Sequence, residues 1–155
     1  MSFTKVKQYF EAAGLEDRVK VLEHSSATVE EAAIAVGCEA KQIAKTMSFL
    51  VDESPILIVV AGDVKVDNKK FKATFQKKAK MIAFDQVESY IGHAPGGVCP
   101  FEVKPEVKTY LDVSLQRFDI VYPAAGDDHS AVKLWVPELE KYANSLGWVD
   151  IGKEL

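Results

Sequence analysis

The feature that most restricts the fold of this chain is an uninterrupted apolar run at residues 56–61, in which four of six side chains are β-branched. A run without alternating polar positions is typical of a strand buried on both faces. Residues 44–51 also suit a strand, and a period of two places Lys45 on the same face as Phe49. Because residues 52–55 have turn chemistry, the pattern predicts a central hairpin.

The rest of the chain alternates helical and extended patterns, with no repeat, linker or break in composition. Helical spacing, capping pairs and terminal glycines predict five helices: before Gly14, after Thr28 with Glu31, at 67–75, after Asp85 with Glu88, and from Pro137 to Gly147. Further strands are predicted at residues 19–22, 81–84, 107–113, 118–122 and 131–135. We therefore expect one mixed α/β domain over residues 1–155.

Several classes of protein are excluded by what the chain lacks. The first residues contain no apolar segment like that of a signal peptide, and the run at 56–61 is far too short to span a bilayer. We therefore expect a cytoplasmic protein without a membrane partner. Cys38 and Cys99 form no CxxC pair, and the three histidines have no metal-ligand spacing, so the sequence predicts free thiols, no metal and no cofactor.

Positive charge is concentrated in one part of the chain. Residues 65–80 contain seven lysines and one aspartate, a net of +6, whereas the remainder, with twelve basic and twenty-two acidic residues, has a net of −10. The stretch is either the solvated face of a helix or a surface that contacts phosphates on an otherwise acidic protein.

Two features are candidates for chemistry. Lys45 shares a strand face with apolar residues, so its side chain either reaches out to water or lies at the mouth of a pocket, where its ammonium can bind a phosphate or a developing oxyanion. The loop around Gly96 and Gly97 is either a plain surface turn or a bend that holds an oxyanion or a carbonyl. Cys99 lies in the same loop, and we expect it to pack, because the sequence places no activating base beside it.

Short motifs along almost the whole chain occur in a specific order. They are Thr28-Val29-Glu30-Glu31-Ala32-Ala33, Val36-Gly37, Gln42-Ile43-Ala44-Lys45-Thr46, Val60-Ala61-Gly62-Asp63, Val66-Asp67, Gly96-Gly97-Val98-Cys99-Pro100-Phe101, Asp112 and Ala125-Gly126. Together they resemble the YbaK/EbsC family, which includes the editing insertion domain of bacterial prolyl-tRNA synthetase and its free-standing relatives. The resemblance implies a partly barrel-like mixed sheet with surrounding helices.

The resemblance also implies an activity, the hydrolysis of mischarged tRNA in trans, on tRNA-Pro carrying a small wrong amino acid. Lys45 would orient the tRNA 3′ end beside a loop containing Gly96 and Gly97, and a ribose hydroxyl of the substrate would help to activate water. The substrate pocket would include His24, Thr46, Pro100, Phe101, Gly126, Asp127 and His129. Lys65, Lys69, Lys70 and Lys72 would contact the tRNA. The partner is the acceptor end of tRNA; association with a synthetase is compatible with the resemblance, and the oligomeric state is left open.

Two departures from the family pattern concern the amino-acid pocket. Glu102 stands where many relatives carry glycine, and Asp127-Asp128-His129 replaces basic or small residues. Alanine, cysteine, serine and threonine therefore all remain candidate substrates. Two other functions compete with deacylation: a non-catalytic RNA- or protein-binding module of the same fold, and a hydrolase for another small acyl ester.

Overall fold

The computed structural model describes residues 2–155, which form five short α-helices and ten strands. The helices are α1 (Ser2–Ala12), α2 (Val29–Val36), α3 (Asn68–Phe75), α4 (Val87–Ile91) and α5 (Val136–Tyr142). The strands are β1 (Val19–Val21), β2 (Ile43–Val51), β3 (Ser54–Ala61), β4 (Val64–Val66), β5 (Lys108–Asp112), β6 (Ile120–Pro123), β7 (Ser130–Val132), β8 (Leu134–Trp135), β9 (Trp148–Val149) and β10 (Gly152–Glu154). No helix within residues 2–155 is long and apolar enough to cross a bilayer.

The predicted central hairpin is confirmed. β2 and β3 pair antiparallel from Ala44 opposite Ala61 to Val51 opposite Ser54. The turn contains only Asp52 and Glu53, both at positive φ (50° and 66°), as a tight two-residue hairpin requires. The turn is therefore shorter than predicted, because Ser54 and Pro55 already belong to β3.

Six strands form one curled, half-barrel sheet in the order β8-β6-β2-β3-β5-β9. The hairpin lies at its centre, with β6 parallel to β2 and β5 parallel to β3. Two antiparallel pairs, β1 with β7 and β4 with β10, lie outside it. The prediction of a mixed, partly barrel-like sheet is confirmed.

The outer edge of β2 is paired only at its two ends. β6 covers Ile43 and Ala44, and residues 80–82 cover the far end, where Leu50 N–H donates to Lys80 O and Ile82 N–H donates to Ser48 O. Alternate residues of a strand direct their backbone groups to the same edge, so Thr46, like Ser48 and Leu50, points its N–H and C=O outward. No strand within residues 2–155 pairs with Thr46 at that edge.

Both faces of the hairpin are covered, as the apolar run predicts. On one face, Phe71 of α3 packs against Phe49, with ring centroids 4.9 Å apart, inside the main core. On the other face, Leu50 and Leu57 form a second cluster with residues of the 82–91 segment, including Ile91 of α4. β3 is therefore buried from both sides.

Local capping signals predict two helix starts correctly. At α2, the Thr28 hydroxyl accepts the Glu31 N–H at 3.2 Å and donates to the Glu31 carboxylate at 3.2 Å. At α3, Asp67 accepts the N–H groups of Lys69 and Lys70 at 2.9 and 3.2 Å. Each cap satisfies backbone donors that the first helical turn leaves free.

Three other expectations are wrong. Residues 81–84 form no strand, because only Met81 bridges to Phe49 and a 3₁₀ turn begins at Phe84. That turn also separates Asp85 from α4, which starts without a side-chain cap. α5 ends at Tyr142 rather than near Gly147, because Asn144 adopts the left-handed conformation (φ 51°), which asparagine tolerates better than most residues.

Burial of β3 makes a testable prediction about stability. Ile58 is 0% exposed, and Ile58→Ala should lower the free energy of unfolding by about 2–5 kcal/mol, because it removes buried methyl groups and leaves a cavity. Ile34→Ala is the matched control: its side chain is 80% exposed on α2, and the change should stay within about 0.5 kcal/mol. Urea denaturation of both variants measures the difference; equal effects would contradict this account of the core.

Candidate functional site

A cleft of about 240 Å³ opens where the outer edge of β2 loses its partner strand. β6 departs from β2 beyond Pro123, and the cleft occupies the gap that this leaves beside Lys45 and Thr46. Its walls come from the segment before α2, from α2, from the glycine loop and from the β6–β7 region. The lining residues are Ser26, Ala27, Thr28, Val29, Ala32, Ile43, Ala44, Lys45, Thr46, Gly96, Val98, Tyr122, Ala124, Ser130 and Ala131.

Lys45 supplies the positive charge of the cleft. Its side chain is half-buried, and this burial lowers the pKa of its ammonium, while the carboxylates of Glu30 and Asp63 act in the opposite direction. Neither carboxylate pairs with it directly, since no acidic side chain among residues 2–155 lies within 4.0 Å of its Nζ. Partial exclusion of water strengthens the attraction of this ammonium for an anion that enters the cleft.

Two hydroxyl groups in the wall of the cleft are buried and have no hydrogen-bond partner within residues 2–155. They are Thr46 Oγ1 and Ser130 Oγ. A buried polar group without a partner costs about 1–3 kcal/mol, so such groups in a cleft mark positions where a polar ligand or water completes the bonding. Ser26, which also lines the cleft, holds the backbone of Ser130, because its hydroxyl donates to Ser130 O and accepts the Ser130 N–H, both at 3.3 Å.

The glycine loop is held against the segment that follows β6. A side chain at Gly97 would place its Cβ 2.6 Å from Asp127 Cα and 2.7 Å from Gly126 O, so only glycine permits this approach. Gly97 N–H donates to Ala94 O at 3.0 Å and is therefore engaged inside the loop. Gly96, at φ +90°, lines the cleft itself. The two glycines thus have different roles: Gly96 forms wall, and Gly97 allows close packing.

The structure brings Lys45, Thr46 and Gly96 together but places other expected substrate contacts elsewhere. Phe101 is fully buried in the main core, with its ring 4.8 Å from that of Phe10. Pro100 and Glu102 line a separate depression, so Glu102 does not flank the cleft. Sequence reasoning could not separate these positions because they are neighbours of the glycine loop along the chain.

The expected substrate contacts in the segments that follow β1 and β6 do not line the cleft. His24 and His129 are exposed, and neither lines it. Gly126, at φ +101°, approaches the backbone of Ser2, and Asp127 accepts the His129 N–H at 3.0 Å. These residues shape the loop that supports Gly97.

The lysines of the 65–80 stretch lie in three different surroundings. Lys70 is engaged within the fold: its Nζ donates to Asp150 at 3.0 Å and to Gly152 O at 2.9 Å, and the Asp150 carboxylate raises the pKa of Lys70. Lys69 and Lys72, together with Lys78, line an open depression of about 400 Å³. Lys65 is exposed on β4, opposite Lys153 of β10.

Cys99 has a neighbour that the sequence did not place beside it. His93 Nε2 lies 3.5 Å from Cys99 Sγ and 2.7 Å from Phe101 O, and both side chains are fully buried. Burial raises the pKa of the Cys99 thiol to about 12, so it stays protonated. Because Nε2 bonds to a carbonyl, it carries the proton and cannot accept one from the thiol. The pair is structural, in agreement with a packing role for Cys99.

Sequence reasoning missed Ser26, Tyr122 and Ser130. Ser26 and Ser130 meet because Leu22 and Ser26 donate their N–H groups to His129 O and Asp128 O beside the β1–β7 pair. The contact joins residues more than a hundred positions apart, and no local pattern signals it. Among residues 2–155, His, Cys, Asp and Glu side chains form no group of three that could hold a metal ion.

A family model described as "Aminoacyl-tRNA editing domain" matches residues 23–142, a range that contains every residue lining the cleft. The chain belongs to this aminoacyl-tRNA editing domain family. The resemblance to the YbaK/EbsC family and its prolyl-tRNA synthetase relatives is thereby confirmed. The cleft of this editing domain combines the Lys45 ammonium with two hydroxyls that have no hydrogen-bond partner within residues 2–155.

Relatives of this editing domain occur both alone and within a larger enzyme. YwhH of Bacillus subtilis, an uncharacterized protein, is 44% identical over 99% of both chains. EbsC of Enterococcus faecalis, named as a proposed Cys-tRNA(Pro)/Cys-tRNA(Cys) deacylase, is 30% identical over 72% of this chain and 68% of its own. A proline–tRNA ligase of Limosilactobacillus fermentum is 32% identical over 81% of this chain, which spans only 22% of that enzyme.

Solved structures show the same fold. The crystal structure of a proposed trans-editing enzyme for prolyl tRNA synthetase is 27% identical to this editing domain, with a TM-score of 0.87 over 98% of this chain and 97% of that one. A hypothetical protein, APE2540, shares the fold with a TM-score of 0.85 at 24% identity.

Burial of His93 predicts a pH dependence of stability. Desolvation lowers the pKa of His93 in the folded state, against the opposing hydrogen bond to Phe101. As pH falls below about 6.5, His93 binds a proton in the unfolded chain but stays neutral in the folded protein. The free energy of unfolding should therefore decrease, by at most about 1.4 kcal/mol per pH unit. Urea denaturation between pH 7.5 and 5.5 measures this slope. His93→Gln should flatten it, whatever its effect on overall stability; an unchanged slope would assign the pH dependence to other groups.

Proposed function

We propose that this protein is a free-standing aminoacyl-tRNA deacylase that hydrolyses the ester bond of mischarged tRNA. The observation that carries the proposal is that one cleft combines the Lys45 ammonium with the hydroxyls of Thr46 and Ser130, none of which has a side-chain ion pair or hydrogen-bond partner among residues 2–155. Membership of the editing family gives the class of reaction, and this arrangement supplies the groups that such a reaction needs.

The chemistry that fits the cleft is attack of water on the ester carbonyl carbon. The attack gives a tetrahedral intermediate with a negatively charged oxygen; the bond to the ribose oxygen then breaks, and that oxygen takes up the proton that water released. The products are the free amino acid and a tRNA with a free ribose hydroxyl. A neighbouring ribose hydroxyl of the substrate helps to activate the water, so the protein needs no nucleophile. Lys45 holds the 3′ end and favours the charge that develops.

The size of the cleft favours a small aminoacyl group. Its volume of about 240 Å³ lies below the roughly 300–1,000 Å³ that is usual for sites of drug-sized ligands. Ala32, Ala44 and Val98 give part of the wall an apolar surface, and the hydroxyls provide polar contacts. Alanine, cysteine, serine and threonine on tRNA-Pro are therefore the substrates that we propose.

The choice of tRNA-Pro is supported by the relatives. One is named as a proposed Cys-tRNA(Pro)/Cys-tRNA(Cys) deacylase, and another is a proline–tRNA ligase. A panel of misacylated tRNAs, scored for release of free amino acid, tests the proposal directly. Release from none of them, with tRNA still bound, would favour the non-catalytic module instead.

Lys45 is the first target for mutation. Lys45→Ala should lower kcat/KM by a factor on the order of 10²–10³, because it removes a well-placed charge. Lys45→Arg should restore only part of the rate, since a planar guanidinium differs in size and donor geometry from a compact ammonium. Deacylation of the best substrate from the panel measures both effects.

The matched control is Lys108→Ala, which removes an exposed lysine from β5 of the same sheet and should leave the rate unchanged. Circular dichroism verifies that each variant is folded. A folded Lys45→Ala protein with the parent rate would refute the role that we assign to Lys45.

The exposed lysines of the 65–80 stretch should serve affinity rather than chemistry. Lys69→Gln with Lys72→Gln should raise KM, leave kcat within a few-fold, and reduce the slope of log affinity against log salt by about 2, because two phosphate contacts are lost.

Lys70→Gln serves as the comparison for this pair. It breaks contacts with Asp150 and Gly152, so its effect should appear mainly in thermal stability rather than in the salt slope. tRNA binding by the double variant that keeps the parent salt dependence would place the tRNA on another surface.

A further inference from the structure

The segment at residues 80–82 runs along the outer edge of β2 toward the cleft. Lys80 O accepts from Leu50 N–H, and Ile82 N–H donates to Ser48 O, on either side of the bridge between Met81 and Phe49. The segment is therefore antiparallel to β2. The last of these hydrogen bonds is at Ile82, and the chain then leaves β2 and enters a 3₁₀ turn at Phe84. On β2, the next residue with outward backbone groups beyond Ser48 is Thr46, which lines the cleft.

A second observation places the same segment beside the cleft. Val98 lines the cleft and also packs against the cluster that contains Ile82 and Val87. These two residues precede and follow Phe84 by only two and three positions. Phe84 does not line the cleft itself; it belongs to the segment between Ile82 and Val87, which packs against the cleft residue Val98.

The high exposure of the Phe84 side chain is not explained by packing within the fold. Its side chain is 80% exposed, although it is large and apolar, whereas its neighbours Ile82 and Val87 are buried. Exposed aromatic rings are the usual stacking surfaces for unpaired nucleobases, and each such stack contributes about 1–3 kcal/mol. The substrate of the proposed function ends in a single strand, whose bases are free to stack.

We infer that Phe84 is the stacking platform for the 3′-terminal base of the tRNA, and that the 3′ strand follows the outer edge of β2 into the cleft. This inference rests on the proposed function. The other end of the segment carries positive charge that can bind the phosphates of this strand. Lys80 is exposed, and Lys78, two residues earlier, lines the basic depression with Lys69 and Lys72. From the level of Leu50 to that of Thr46 the edge is about 13 Å long, at roughly 3.3 Å per residue.

In this arrangement, three parts of the substrate contact three successive positions along the outer edge of β2. Phosphates of the strand lie near Lys78 and Lys80, the terminal base lies on Phe84, and the ester lies in the cleft near Lys45. The stack on Phe84 would fix the terminal ribose and thereby the position of the ester. A contact of this kind acts on binding and orientation, and takes no part in proton transfer.

The test uses the full chain and a misacylated tRNA in which 2-aminopurine replaces the terminal adenine, because stacking quenches the fluorescence of this base. Binding to the parent protein should quench it. Phe84→Ala should abolish the quench and raise KM about 5- to 100-fold with kcat nearly unchanged. Phe84→Trp should preserve the quench and restore KM, since it keeps an aromatic face. Leu146→Ala, an exposed apolar residue that contacts β5 on the other half of the sheet, is the control and should behave like the parent.

The outcomes separate this inference from the function on which it rests. If the parent hydrolyses the substrate but Phe84→Ala keeps both the quench and the parent KM, the stacking site is wrong and the deacylase stands. If the parent quenches 2-aminopurine in a Phe84-dependent manner without hydrolysis, the stacking site stands and the deacylase is wrong. Absence of tRNA binding by the folded parent overturns both.

Discussion

The site of this protein depends on an incomplete backbone pairing. Backbone N–H and C=O groups of a strand need partners, and a central strand normally finds them on both edges. β2 has a full partner in β3, but on its other edge β6 pairs only at Ile43 and Ala44, and residues 80–82 pair only near Ser48. The stretch between them is the floor of the cleft. The hairpin is buried on both faces, so this stretch of β2 is held firmly in place. Its outer edge has no partner strand within residues 2–155, so the stretch is open to the cleft.

The pairing of Asp63 and Lys70 within the fold contrasts with the surroundings of Lys45 in the cleft. Arg117 holds Asp63 by two contacts, at 2.6 and 3.0 Å, and this pair lowers the pKa of Asp63. Asp63 is therefore engaged elsewhere, although its charge still acts on Lys45. Lys70 is likewise satisfied by Asp150. Lys45 differs from both because it is half-buried and no carboxylate in the described part of the chain pairs with it, so its charge is available to an anionic ligand.

Two glycines, Gly97 and Gly126, allow the loops around the cleft to pack closely. At Gly97 a side chain would collide with the backbone of Asp127, and at Gly126 it would collide with the backbone of Ser2. The glycine loop and the loop after β6 therefore pack against each other through bare backbone. The N-terminal helix is part of this arrangement, since Ser2 lies against Gly126. Phe101, a substrate contact expected from the family resemblance, is fully buried and anchors the loop in the core.

Local sequence determined the elements of this protein and the identity of its cation. The apolar run of β3, the caps at Thr28 and Asp67 and the alternation in β2 are short-range signals. They predicted a buried hairpin and left the Lys45 side chain either reaching out to water or at the mouth of a pocket. Only the tertiary structure decided which side chains share the cleft. Ser130 is held at the cleft by pairing of β1 with β7, and residues 80–82 are bound to β2 by hydrogen bonds across about thirty positions. Such contacts depend on how strands meet in space, which no local pattern of residue types encodes.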